Sequence, residues 1–449
     1  MLILHKATIV TAEKEAVGTV VIEDGAIRDV YFSDAEDYDF QTARLFRDNP
    51  DADIRELAGK WLMAGGIDDH VHFREPGLTH KADMETESRA AAAGGVTTVF
   101  DMPNTNPATT TSEALKGKMK AAEGRSAVNI GFHIGATNDN ADIIAGLVRH
   151  GDDAILPEDI AGVKIFMGSS TGNMLVDESH TLDTLFAIKE KPVLVHCEDE
   201  ETIRKNLQAA IEIYGDDIPF EEHENIRSRR ACIKSSIKAL EKAMKYGTRL
   251  VLCHISTKEE VEMVRAAKLN NPEIIAETSC NYLWFCNEDY KRLGSLVKCN
   301  PSIKTADDRI ALRKALADGG IDIIGSDHAP HLLSEKDGRY CKAPSGLPSI
   351  QQTLPVLLTI AGQEGIPLTR IASVFSEKAS DIYGLKRGKI KPGYAADIVI
   401  FDKNMEFSVK DEDQYSRCGW TPYAGETLKG RIDTVTVNGK IIIKDGRMN

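Results

Sequence analysis

The sequence predicts a (β/α)8 TIM barrel, of the α/β class, carrying a small β-sandwich domain formed by both chain ends. Three observations predict it. Eight short apolar runs alternate with longer helical stretches through the middle of the chain, and both ends read instead as β hairpins. The length of 449 residues suits one barrel of about 250 residues or more plus a smaller companion.

At the ends, TVVIE and AIRDV flank Asp24-Gly25, and TVTV and KIII flank Asn438-Gly439. An Asp-Gly or Asn-Gly pair between β-rich runs is a strong two-residue hairpin signal. The ends are expected as antiparallel strands of one β domain, residues 1–61 and 388–449, around a barrel of residues 62–387. Residues 33–56 are acidic and irregular and are expected as surface.

The eight runs are LMAGGIDDHVHF (62–73), VTTVFDM (96–102), AVNIGFHIG (127–135), GVKIFM (162–167), PVLVH (192–196), RLVLCHI (249–255), EIIAET (273–278) and IDIIGSD (321–327). Any one of them could be a buried helix fragment; their number and order decide for strands. Asp83 to Ala93 reads as one of the intervening helices, with Asp83 as its N-cap and Gly94 just past its end.

Composition narrows the function. Hydrophobic residues at 42% and charged residues at 28% are globular proportions, which excludes disordered and fibrous classes. A net charge of −14 argues against nucleic acid and against an anionic membrane surface. No apolar run approaches the length of a bilayer span. The start, MLILHKATIV, lacks the parts of a secretory signal. Eight cysteines without a CxxC pair read as reduced thiols, so a cytoplasmic setting is expected. The expected partner is a small-molecule substrate, and a homodimer is compatible with the sequence.

Side chains at the C-terminal ends of barrel strands converge on one cavity. The first run ends in His70-Val-His72, the fifth in His196, the sixth carries His254, the eighth ends in Asp327, and the fourth carries Lys164. On a strand, i and i+2 share a face, so His70 and His72 can hold one ion. Either His196 or His254 alone reads equally as a satisfied core histidine; the joint pattern points to a metal centre. Lys164 lies inside an apolar run, where burial favours a neutral amine. Such an amine can add CO2 and become an anionic oxygen ligand. The alternatives are a lysine that snorkels out or pairs with a carboxylate.

These residues stand in segments that resemble a known family: GIDDHVHFREPG (66–77), AAAAGGVTTVFDMPNTNP (90–107), GVKIFMGSSTG (162–172), VHCED (195–199), CHIST (253–257), KCNPSIKTADDR (298–309), GSDHAPH (325–331), APSGLPSIQQTLP (343–355) and GKIKPGYAADIVIFD (388–402). The chain resembles the metal-dependent amidohydrolases, and within them the dihydroorotases of the long, monofunctional bacterial type.

The resemblance implies two zinc ions per subunit. His70, His72 and Asp327 would hold the more buried ion and His196 and His254 the other, with carboxylated Lys164 and a hydroxide bridging them. It implies reversible cyclisation of N-carbamoyl-L-aspartate to dihydroorotate in pyrimidine biosynthesis, with Asp327 as proton shuttle. Arg74, Asn104 and His331 would bind the substrate carboxylate; Asn300 and the backbone around Ala343 and Gly346 would face the ring's ureide edge. Arg74 follows His72 by two positions, so a continuing strand would keep it on the same face; the bland reading of Arg74 is a salt bridge with Glu75 or another acid.

Alternatives from the same class are allantoinase and dihydropyrimidinase or hydantoinase; the alternative from another class is a non-catalytic scaffold. Segment 331–346 is expected as a mobile cover. Ser279-Cys280-Asn281-Tyr282 stands where many relatives carry a Pro-His-His segment. Cys197, Cys253 and His133 are expected as core, and His328 as a hydrogen-bonding neighbour of the site.

Overall fold

The computed structural model describes residues 1–168 and 174–449. The end of the GVKIFMGSSTG segment therefore lies outside the described residues.

The middle of the chain forms eight parallel strands around one axis, and the ends form a separate sheet. In chain order the strands are β1 (Leu2–Val10), β2 (Glu15–Glu23), β3 (Ala26–Phe32), β4 (Asp53–Glu56), β5 (Trp61–Ala64), β6 (Gly66–Val71), β7 (Val96–Asp101), β8 (Asn129–Gly135), β9 (Ile160–Phe166), β10 (Val193–His196), β11 (Leu250–Leu252), β12 (Ile274–Thr278), β13 (Ile323–Ile324), β14 (Ile398–Ser408), β15 (Thr427–Val437), β16 (Lys440–Lys444) and β17 (Arg447–Met448).

Strands β6 to β13 pair in sequence order, which gives the barrel. The last strand is only two residues long, so closure onto β6 relies on single contacts. These are a bridge between Val71 and His328, the His72 amide on the His328 carbonyl at 2.8 Å, and the Ser326 amide on Asp68 Oδ1 at 3.0 Å. Helices cover the outside. Met84–Ala93 is one of them: Asp83 caps it by accepting from the Thr86 amide, and Gly94 follows its end.

The first apolar run, 62–73, proves to be two strands. β5 pairs with β1 and β14 in the terminal sheet, and after Gly65 the chain enters the barrel as β6. The break is invisible in hydropathy because both strands are buried on both faces.

The terminal sheet has nine strands in the order β17-β16-β15-β14-β5-β1-β2-β3, with β4 beside β1. The tips of its two hairpins meet. Asp24-Gly25 and Asn438-Gly439 all have positive φ, as a two-residue hairpin turn requires, and the two tips touch through the Ala396 backbone. Leu4, Ile9, Val20, Ile22, Leu62 and Ile398 fill the interior.

Residues 33–56 depart from the expectation of an irregular surface. They hold a helix, Tyr38–Asp48, and strand β4. Tyr38, Thr42 and Leu45 are the buried positions of that helix, at helical spacing inside an otherwise charged sequence. Among the described residues no helix is long and apolar enough to cross a membrane.

Candidate active site

Four imidazoles, one amine and one carboxylate meet at the C-terminal mouth of the barrel. His70 lies at the end of β6, and His72 follows that strand. Their Nε2 atoms lie 3.5 Å and 3.2 Å from the same oxygen, Asp327 Oδ1. Across the mouth, His196 Nδ1 faces His254 Nε2 at 2.9 Å. The rings of His70 and His254 are 5.2 Å apart, which joins the two groups. Lys164 on β9 is completely buried, with Nζ 3.3 Å from Cys253 Sγ.

Burial pushes all four imidazoles below their ordinary range, so each presents a neutral ring with a lone pair. Burial works in the opposite sense on Asp327, but the hydrogen bond with His72 and the neighbouring imidazoles outweigh it and hold the carboxyl well below the usual range. Neutral imidazoles beside an ionised carboxylate are the donor set of a zinc site. The facing atoms of His70, His72 and Asp327 lie within 4.8 Å of one another, close enough to share an ion. A second group, His70 with Cys253 and Glu277, is as close, but burial holds the Cys253 thiol well above its ordinary range. Among the described residues His254 Nδ1, Glu277 Oε2 and Asp69 Oδ1 are buried without a hydrogen-bond partner. The donors present fit a metal centre.

Each ligand candidate is aimed from behind. Glu277 Oε1 lies 2.9 Å from His70 Nδ1 and accepts the His254 amide at 3.0 Å. Asn104 Oδ1 lies 2.8 Å from His72 Nδ1. Glu198 Oε2 lies 2.9 Å from His196 Nε2 and is also paired with Arg227. Such contacts fix which ring nitrogen faces an ion. Sequence reasoning missed Glu277 and Glu198. Glu277 carries the signal that marked Lys164, a charge inside an apolar run, and Glu198 sits two residues past His196. From the strand end where Ser279-Cys280-Asn281-Tyr282 follows, Glu277 serves His70, while Ser279 hydrogen-bonds the Ser326 carbonyl.

Arg74 reaches the site by a different route from the one expected. β6 has already ended, and Arg74 adopts φ +64°. His254 and Asp327 share this left-handed conformation, at φ +40° and +49°. Sparsely populated backbone of this kind persists where the surrounding structure over-determines it. Arg74 is 2% exposed. Its Nε donates to the Pro330 carbonyl at 3.2 Å, and its Nη2 lies 3.1 Å from His331 Nε2. Among the described residues no carboxylate pairs with it, and Glu75 is taken by Arg125 at 2.6 Å. Burial draws the guanidinium down to about 10. His331 meets Lys81 Nζ on its other nitrogen at 3.2 Å. Burial and the two cations keep the ring neutral.

His72, Arg74, Asn104, Asn300, Asp327, Ala329, Ser345 and Gly346 line one cavity. Asn300 Oδ1 is buried there without a partner among the described residues. Gly346 has φ +141°, and a Cβ on it would come within 2.5 Å of the Ala329 carbonyl oxygen, so only glycine fits. Ala343 does not line the cavity: its amide bonds the Arg339 carbonyl and its carbonyl is held by Lys298. The cavity measures about 30 Å³.

The remaining expectations divide. His133 is a core residue, bonded to the Asp69 carbonyl at 2.9 Å, and Cys197 is buried. His328 binds Glu87 and the Ser349 amide, so its side chain braces the barrel rim instead of a ligand candidate. Cys253 is more than filler, since its sulfur contacts Lys164.

Residues 61–442 match the Amidohydrolase family. The chain belongs to that family. A dihydroorotase from Methanosarcina acetivorans is 34% identical over 412 residues, covering 88% of this chain and 85% of its own. An allantoinase from Desulfitobacterium hafniense is 30% identical, covering 96% of this chain and 95% of its own. Among solved structures, the L-hydantoinase from Arthrobacter aurescens superposes with a TM-score of 0.88 at 25% identity, over 100% of this chain and 97% of its own. As an amidohydrolase related to these enzymes, the chain is a cyclic amide hydrolase.

Proposed function

We propose that this amidohydrolase is a zinc-dependent dihydroorotase, interconverting N-carbamoyl-L-aspartate and dihydroorotate. The observation that carries the reading is Arg74, a buried guanidinium with no carboxylate partner among the described residues, in the cavity that also holds Asp327. A planar guanidinium in a desolvated pocket matches a carboxylate. Dihydroorotate carries one; hydantoins and dihydropyrimidines do not.

His70, His72 and Asp327 would hold one zinc ion, His196 and His254 a second, with Lys164 between them as a carbamate. When bound, such a pair lowers the pKa of water and polarises the carbonyl under attack. Asp327 then moves the proton. Its carboxylate takes one from the attacking water and returns it to the departing ring nitrogen; in the synthetic direction it takes one from the ureido nitrogen. Arg74 and His331 orient the substrate carboxylate. Asn300 offers its unpartnered carbonyl oxygen to a ring N–H, and Ser345 and Gly346 shut out bulk water.

Carbamoyl aspartate cyclisation, assayed with metal counting on one sample, tests this. Turnover with about two zinc ions per chain is expected. The second reading, an allantoinase or hydantoinase, draws on the similar enzymes of those names. Turnover of allantoin, hydantoin or dihydropyrimidine without turnover of carbamoyl aspartate would establish it. Metal-free protein inert on every ring would favour a scaffold, although all six ligand candidates are present.

A further inference from the structure

Two lysines that the chemistry does not use lie buried behind the cover. Lys336 closes the short helix Leu333–Lys336 and is 1% exposed. Its Nζ donates to three carbonyl oxygens: Lys298 at 3.3 Å, Pro344 at 2.9 Å and Gly346 at 3.0 Å. Lys298 is also buried, and its Nζ donates to the carbonyls of Tyr340 and Ala343, each at 2.6 Å, beneath the Tyr340 ring.

Lysine is rarely buried without a carboxylate, because the ammonium loses its hydration. Here every one of these acceptors is a backbone carbonyl. Four of the five belong to the segment 340–346, and the fifth, of Lys298, also receives the Gly346 amide at 2.9 Å. Ser345 and Gly346, at the end of this segment, line the cavity with Arg74 and Asp327, and the Ser345 carbonyl meets His331 Nε2 at 3.1 Å.

We propose that Lys336 and Lys298 are positioning residues: their ammoniums clamp segment 340–346 by its own carbonyls and so seat Ser345 and Gly346 over the substrate cavity. The inference rests on the cavity's being the substrate site, not on which ring it takes.

Trypsin reads the clamp without substrate, because Arg339 and Lys342 in the cover are exposed. In metal-replete Lys336→Met and Lys298→Met proteins, cleavage at those residues should run at least tenfold faster than in wild type. With the best cyclic amide substrate, KM should rise at least tenfold, kcat should change less than threefold, and metal content should stay the same. Unchanged cleavage, or a loss confined to kcat, would overturn the proposal. Hydrogen exchange of the wild-type protein keeps the question decidable if neither variant folds. The Ala343 and Gly346 amides should be protected like barrel amides, and exchange at exposed-loop rates would refute the clamp. Inactivity on every cyclic amide would sink the functional reading alone, since cleavage and exchange would still report on the clamp.

Discussion

Glu277 Oε1 stands 2.9 Å from His70 Nδ1, and the same oxygen accepts the His254 amide at 3.0 Å. One carboxylate thus orients a ligand candidate from each half of the centre. Removing such a partner weakens metal binding roughly 10–100-fold. Glu277→Ala should lose metal affinity on this scale in a metal-buffered titration. An unchanged affinity would show that packing alone orients His70 and His254.

Lys164→Ala should lose bound metal and most turnover together, if the buried amine is the bridging ligand. Metal counting and a rate assay on the same preparation check this. Full metal content in the variant would leave Lys164 as a countercharge to Asp69 and Glu277, the two buried carboxyls whose electrostatics it influences.

Asp327→Asn should still bind substrate but turn it over about 10²–10⁴-fold more slowly, the usual contribution of a positioned acid–base group. Single-turnover kinetics with substrate binding measured separately distinguish this from simple loss of affinity. A variant with wild-type kcat would remove the proton role.

Arg74→Ala should weaken carboxylate-bearing substrates by about 2–5 kcal/mol, the cost of truncating one partner of a buried charge pair. Neutral rings should be affected far less. Equal losses for both classes would make Arg74 a structural residue.

Stability should fall in mild acid. Burial holds the imidazoles of His5, His70, His72, His133, His196, His223, His254 and His331 below their ordinary value, His133 at about 3. Below roughly pH 6.5 the unfolded chain therefore takes up protons there that the folded chain refuses, and stability drops as pH falls. Asp68 at about 7, Asp69 at about 8 and Glu277 at about 7, with Glu260, Glu377 and Asp397 raised less, act in the opposite sense. The histidines outnumber them. Urea unfolding should give lower stability at pH 5.5 than at pH 7.5; equal or greater stability at pH 5.5 would contradict this balance.

Residue type and period along the chain already determined the barrel, the two terminal hairpins and the polar residues at the strand ends. These are local properties: Asp-Gly needs positive φ wherever it turns, and a lysine in an apolar run is anomalous before any neighbour is known. Tertiary structure alone decided the split of run 62–73 at Gly65, because two strands buried on both faces read as one. It also decided how Arg74, His254 and Asp327 are aimed, since each adopts a left-handed backbone that no strand period predicts. Glu277 stands behind His70 across 207 residues, and Lys298 holds carbonyls 42 and 45 residues further on; no spacing rule encodes which buried charge meets which carbonyl or ring nitrogen.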